Sequence, residues 1–219
     1  MLHFATPQGF TAAFGLIFVS EIGDKTFFIA ALLAMRRGRA VVLAGAVAAL
    51  ALMTGISVAL GRLFTRLPDS FSSSLPLGEY CAVALLLFFG IKTLKDALAI
   101  EPAAEGSKGD DEMEEAAAVV SKADAEASAR GILGGFVQTF SLIFVAEWGD
   151  RSMLATIALG AAQNPVGVFA GAVMGHALAT LIAVVGGSLM AERISERTVG
   201  ITGGTLFLLF AVATLFDVF

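Results

Sequence analysis

The sequence predicts an all-α integral membrane protein, with six transmembrane helices arranged as two inverted three-helix repeats. Three observations carry this reading. The 219 residues are 57% hydrophobic and only 15% charged, against roughly 45–50% and about 25% in soluble domains. The apolar residues gather in runs of membrane-spanning length. The chain also repeats itself: residues 9–24 match residues 135–150 at 10 of 16 positions, an offset of 126.

In chain order, span one is expected over 9–35, closed by Arg36, Arg37 and Arg39. The preceding stretch has no basic n-region or small-residue cleavage site, so no removable signal is expected. Span two, 40–61, carries no charge. Residues 62–79 read as a loop, from Pro68, Pro76 and a serine cluster. Span three, 80–98, ends with Lys92 and Lys95, which can snorkel to the headgroups. Residues 99–129 form an acidic linker with nine acids against Lys108 and Lys122, which reads as a solvated tether. Span four covers 131–162, and Asn164-Pro165 marks a turn. Span five, 166–190, has His176 as its only ionisable group. A polar loop at 192–198 leads to span six, 199–216. The domains are thus 1–98, the linker 99–129, and 130–219. The net charge of −5 comes from the linker; no nucleic-acid partner is implied. Cys81, alone, forms no internal disulfide or thiolate cluster and reads as a small core residue.

The repeat continues through Thr54/Thr180 and Gly61/Gly187. Span three pairs with span six through Phe89/Phe210, Thr93/Thr214 and Asp96/Asp217. A unit with an odd number of spans must enter the membrane in opposite senses, which inverts the two copies and places a site at their interface. Ten Lys and Arg residues fall on one face and only Arg62 and Arg66 on the other. That asymmetry places the linker in the cytoplasm and both termini outside.

The chemistry sits in Ser20-Glu21-Ile22-Gly23-Asp24-Lys25-Thr26 and Ala146-Glu147-Trp148-Gly149-Asp150-Arg151-Ser152. Six charges at membrane depth cost on the order of 15–20 kcal/mol before pairing. In each copy the acids are three apart, on one helix face, and Glu21/Lys25 and Glu147/Arg151 are spaced to pair. Gly23 and Gly149 weaken the helix and free carbonyls. Four carboxylates against two cations leave a double negative charge, which one divalent ion or two protons neutralise. Metal and protons would then compete for the same oxygens, as in cation–proton antiport. Glu21, Asp24, Glu147 and Asp150 are the expected metal ligands. Thr26 and Ser152 are either auxiliary ligands or bonded to their own helices. Lys25 and Arg151 compensate charge. Oxygen ligands suit calcium, manganese or magnesium. A bland alternative has each Glu simply paired with its own cation. His176 has Leu50 as its repeat mate and so stands outside the duplicated site. Trp148 and the two threonines read as packing residues. The rival functions are a membrane subunit without transport and an intramembrane aspartyl protease using Asp24 and Asp150.

At these residues the chain resembles the Gdt-type cation/proton exchanger family, whose pattern is Glu-x-Gly-Asp-Lys/Arg-Thr/Ser once per half. Both copies fit without departure. The family includes bacterial manganese exporters and Golgi manganese/calcium transporters. The resemblance implies export of Mn2+, with Ca2+ as an alternative, and a bacterial inner membrane. It also implies no prosthetic group and no enzymatic activity. One half would rock against the other around the site.

Overall fold

The structure, a computed structural model, describes residues 7–65, 77–99, 107–126, 131–186 and 196–218. These residues form helices and no strand. In chain order they are α1 (Pro7–Glu21), α2 (Lys25–Arg36), α3 (Arg39–Thr65), α4 (Leu77–Leu98), α5 (Ser107–Glu126), α6 (Gly131–Glu147), α7 (Arg151–Ala162), α8 (Pro165–Gly186) and α9 (Glu196–Val218). Three stretches are long and apolar enough to cross a membrane: Arg39–Leu63, Pro165–Gly186 and Arg197–Phe216. The pair α6–α7, bent by 73°, makes a fourth candidate. Most of the loop at 62–79, both ends of the linker and the first half of the polar loop at 192–198 lie outside the described residues. Arg62 falls inside α3, so that helix outlasts its expected end.

The first correction concerns spans one and four, which are broken rather than continuous. Gly23 and Gly149 have φ of 79° and 84°, a left-handed conformation that glycine adopts without steric cost. α1 and α6 therefore stop at Glu21 and Glu147. Asp24 and Asp150, in extended conformation, stand at the N-cap positions of the next helices. The acids of each motif do not share a helix face; they flank a break.

The two halves interleave. α1 runs parallel to α8, with Gly171 against the Phe10 carbonyl and Gly175 against Phe14 and Phe18. α3 runs parallel to α6 in the same manner, with Gly135 facing Val41 and Gly45 facing Phe136 and Thr139. α4 and α9 are antiparallel: Gly90 faces Leu208, Gly204 faces Leu94 and Gly200 faces Ala97. Stacked phenylalanine ladders repeat the sequence match in space, with Phe14–Phe18 and Phe140–Phe144 ring centroids both 5.8 Å apart. One apolar core surrounds Leu16, Leu86, Leu159 and Phe207, and another surrounds Ile29, Leu33, Val42 and Ile143. Large apolar side chains such as Ile132, Leu133, Val145, Val166 and Phe216 point outward, as lipid contact requires. Cys81 is exposed; the core position expected for it is wrong, because its face of α4 turns away from α9.

The linker is the second correction. Residues 107–126 are a docked helix, not a solvated tether. Met113, Ala116, Ala117 and Val120 recur at helical spacing and pack on the second core, with Ala116 and Val120 fully buried. Glu115 and Asp124 hold the rim. Glu115 pairs with Lys25 at 2.7 Å, and Asp124 accepts from Arg36 at 2.6 Å and Arg37 at 3.1 Å on the α2 side. On the α6 side Gln138 donates to Asp124 at 3.0 Å. α5 thus straddles both halves.

Two outcomes follow from this packing. Gly171→Ala drives a methyl group into the Phe10 carbonyl. Overpacking of this kind costs about 1–3 kcal/mol and should lower the unfolding temperature in detergent by several degrees. For α5, the Gln138 amide first, then Arg36 and Arg37, hold the Asp124 carboxyl below the usual carboxylate range. A depressed carboxyl stabilises the docked state fully above its ordinary value of about 3.9 and loses that contribution as pH falls through the lower folded value. The Asp124 contribution, read as the difference in amide exchange at residues 118–124 between wild type and Asp124→Asn after correction for intrinsic rate, should therefore be constant from pH 8 to 5 and shrink only in stronger acid. Asp124→Asn should raise exchange there several-fold at neutral pH.

Candidate functional site

The two helix breaks meet. Arg151, on the first turn of α7, donates from Nη2 to Asp24 Oδ1 at 3.0 Å and to the Ser20 carbonyl at 3.2 Å. The second motif thus grips the first directly. Neither of the pairs expected within a motif forms. The break turns Arg151 away from Glu147, and Lys25 is drawn to Glu115 of α5 instead.

The carboxylates occupy two tiers. Asp24 and Asp150 line an open cleft of about 480 Å3, along with Gly23, Gly149 and Arg151. Glu112 of α5 and Lys92 and Asp96 of α4 complete its walls. Burial, then the Glu115 carboxylate, push Glu112 above its ordinary value. Asp150 caps α7 by accepting from the Ser152 amide at 3.1 Å, whereas Asp24 gives its side chain to Arg151. The second tier is Glu21 and Glu147, which are 4% and 1% exposed. Thr26 donates to Glu21 Oε2 at 3.3 Å, and Ser152 donates to Glu147 Oε2 at 2.9 Å. Thr26 and Ser152 therefore bond neither to their own helix carbonyls nor to open space. Each holds one oxygen of its own glutamate. Oε1 of Glu147 is buried without a hydrogen bond.

All four motif acids lie within electrostatic range of one another: Glu147 senses Glu21, Asp24 and Asp150, and Asp24 senses Glu21 and Asp150. Among the described residues, however, no three His, Cys, Asp or Glu side chains stand close enough together to form a ready-made metal cluster. The site is gathered but open.

Sequence reading undervalued several neighbours. His176 of α8 is buried, with Nδ1 3.6 Å from Glu21 Oε1. Its mismatch with Leu50 hid it, because only duplicated positions drew attention. Asp96 was visible as the mate of Asp217, but nothing connected it with the cleft. Glu112 was lost among the linker acids. Thr54 bonds to the Leu50 carbonyl at 2.7 Å, the packing role expected of it. Trp148 is exposed and leans on Phe144.

Comparison with known proteins adds a family. The model described as "Divalent cation/proton antiporter GDT1" matches residues 9–101 and 135–219, leaving out most of the linker. The chain is 57% identical over 216 residues to GDT1-like protein 2, chloroplastic, of Oryza sativa subsp. japonica, covering 97% of this chain and 62% of that one. It is 54% identical over 225 residues to Protein PAM71-homolog, chloroplastic, of Arabidopsis thaliana, covering 100% and 62%. With GDT1-like protein sll0615 of Synechocystis it shares 49% over 207 residues, 94% of this chain and 95% of that one. The chain spans about three fifths of the length of these chloroplastic relatives. No solved structure matches.

The cross-motif grip is measurable by a double-mutant cycle. Arg151→Gln leaves a half-buried carboxylate without its partner, and breaking such a pair costs about 3–5 kcal/mol when buried and less here, where the side chains are partly exposed. Asp24→Asn in the same chain should recover at least a third of that loss in unfolding free energy. Additive losses would mean that the two side chains do not interact.

Proposed function

Because the chain belongs to the divalent cation/proton antiporter GDT1 family, we propose that it is a six-span exchanger that moves Mn2+ out of the cytoplasm against protons, with Ca2+ as the second candidate ion. The family transports cations and does not catalyse reactions. That disfavours the protease reading, in which Glu21, Glu147 and Arg151 would also have no task.

The observation that carries the proposal is the meeting of two duplicated acid pairs across helix breaks. Asp24 and Asp150 receive the ion in the cleft. Glu21 and Glu147, deeper and each with one oxygen held by a hydroxyl, bind it and exchange it for protons. With Lys25 engaged by Glu115, the cluster is four carboxylates against the single guanidinium of Arg151. One divalent ion with one proton neutralises it, and so do three protons. Swapping one state for the other exchanges one divalent ion for two protons without change of net charge.

The antiparallel run of α4 and α9, equivalent helices of the two halves, supports the inverted repeat. The six spans would be α1–α2, α3, α4, α6–α7, α8 and α9, with both termini outside and the linker helix in the cytoplasm. Relatives named as chloroplastic widen the expected location from a bacterial inner membrane to chloroplast membranes as well.

The test is Mn2+ flux in proteoliposomes under an imposed pH gradient. Wild type should move Mn2+ with the potential clamped at zero, and reversing the pH gradient should reverse the flux. Glu21→Gln and Glu147→Gln should each reduce it at least tenfold. Undiminished flux in both variants would remove these glutamates from the path.

A further inference from the structure

His176 enters the site from α8 with no counterpart in the other half. It is 4% exposed, and its Nδ1 makes no hydrogen bond. Burying an imidazole nitrogen without a partner is costly, so the position calls for a partner that the surrounding side chains do not supply. Nδ1 faces Glu21 Oε1 at 3.6 Å, too far for a hydrogen bond. The separation does suit two ligands of one small ion: atoms each about 2.1–2.3 Å from a metal and roughly 90–110° apart stand about 3.0–3.8 Å from one another. The remaining oxygens are arranged to match. Thr26 occupies Oε2 of Glu21 and leaves Oε1 toward His176. Ser152 occupies Oε2 of Glu147, whose Oε1 is also buried without a hydrogen bond. Glu147 and His176 lie within electrostatic range of each other.

We infer that His176 Nδ1 is a nitrogen ligand of the transported ion, beside Glu21 and Glu147, and that it sets selectivity toward first-row transition ions such as Mn2+ over Ca2+ and Mg2+. The inference rests on the transport reading given above and deepens it. Four carboxylates alone offer only hard oxygens, which serve Ca2+, Mg2+ and Mn2+ alike. One imidazole changes that balance, because Ca2+ takes oxygen ligands while d-block ions gain from nitrogen. Since no three such side chains among the described residues are yet assembled, binding requires the Glu147 side chain to turn toward the Glu21–His176 pair. Ion binding thereby links α6 to α1 and α8 through side-chain movement.

Two measurements test the assignment. Electron spin-echo envelope modulation of Mn2+ bound to the purified wild-type protein should show nitrogen-14 coupling of imidazole type, and His176→Gln, which retains His3, should lose it. In proteoliposomes, the ratio of the KM for Ca2+ to that for Mn2+ should fall about tenfold or more in His176→Gln and His176→Asn, the range expected when a metal's ligand sphere is disturbed. Bound Mn2+ without imidazole coupling in wild type would overturn the assignment, even if the variants fail to fold. So would an unchanged ratio in variants that still transport. Wild-type protein that neither binds nor moves any divalent ion would remove the transport reading itself, and this assignment with it.

Discussion

Everything in the site depends on two left-handed glycines. A continuous helix would place Glu21 and Asp24 on adjacent turns of one surface, with every backbone group between them satisfied. With Gly23 at φ 79° and Gly149 at φ 84°, the chain leaves the helix and re-enters it. Each glutamate then lies at the negative end of one half-helix and each aspartate at the positive end of the next. The aspartate's charge is met where it stands. The glutamate's charge is not, and needs an outside partner: a hydroxyl, a cation or a proton. One tripeptide break thus gives two like acids different surroundings, as the proposed exchange of charge at the glutamates requires, and inserts backbone irregularity only where the protein interior can receive it.

The duplicated motif does not produce a symmetric site. Symmetry would match the Arg151–Asp24 bond with a Lys25–Asp150 bond, yet Lys25 reaches α5 and pairs with Glu115. Arg and Lys behave accordingly. The planar guanidinium serves two acceptors, Asp24 and the Ser20 carbonyl, while the ammonium makes one flexible contact near solvent. The linker helix therefore helps set the charge of the proposed ion site although none of its residues belongs to either motif.

The sequence made the helical class, the duplication and the key carboxylates legible, because periodicity, identity at fixed offset and charge at membrane depth are all local signals. The break itself was half legible. Glycine between two acids announced a weak point, but the positive φ that puts Asp24 at an N-cap position depends on what surrounds it. The ion pairs were misread for the same reason: spacing of four predicts partners only along an unbroken helix. The linker was misread because its acids dominate any average. The stripe Met113, Ala116, Ala117, Val120 is short and built from small residues, too faint to outweigh nine acids. His176 was lost to an opposite error, trust in symmetry, since an asymmetric residue can serve a symmetric site from one side only.

The interleaving also constrains how the protein can move. If the halves met across a plane, one could rock on the other at little cost. Instead α1 lies along α8, α3 along α6 and α4 along α9, so each half is threaded through its neighbour. Separating them as rigid bodies would expose the close glycine contacts of Gly45, Gly171 and Gly204, and in lipid such tight backbone packing is what holds helices together. The short helices α2 and α7 are packed as closely: Gly61 of α3 abuts the Ile157 carbonyl of α7, Gly160 of α7 abuts Val58, and α2 is buried from Thr26 to Leu33. Each is joined to its preceding helix through a glycine already in the left-handed region, where a change of φ and ψ meets no Cβ. Swinging α7 about Gly149 moves Arg151 and Asp150 together, and swinging α2 about Gly23 moves Asp24 and Lys25. Motion at these two joints would reshape the cleft, at the cost of the α3–α7 and α2 contacts. It also loads α5 directly, since that helix is bonded to α2 through Lys25, Arg36 and Arg37 and to α6 through Gln138. The breaks that shape the proposed ion site are thus the points where the backbone itself resists bending least, while the packing of α2 and α7 opposes that motion as it opposes rocking of whole halves.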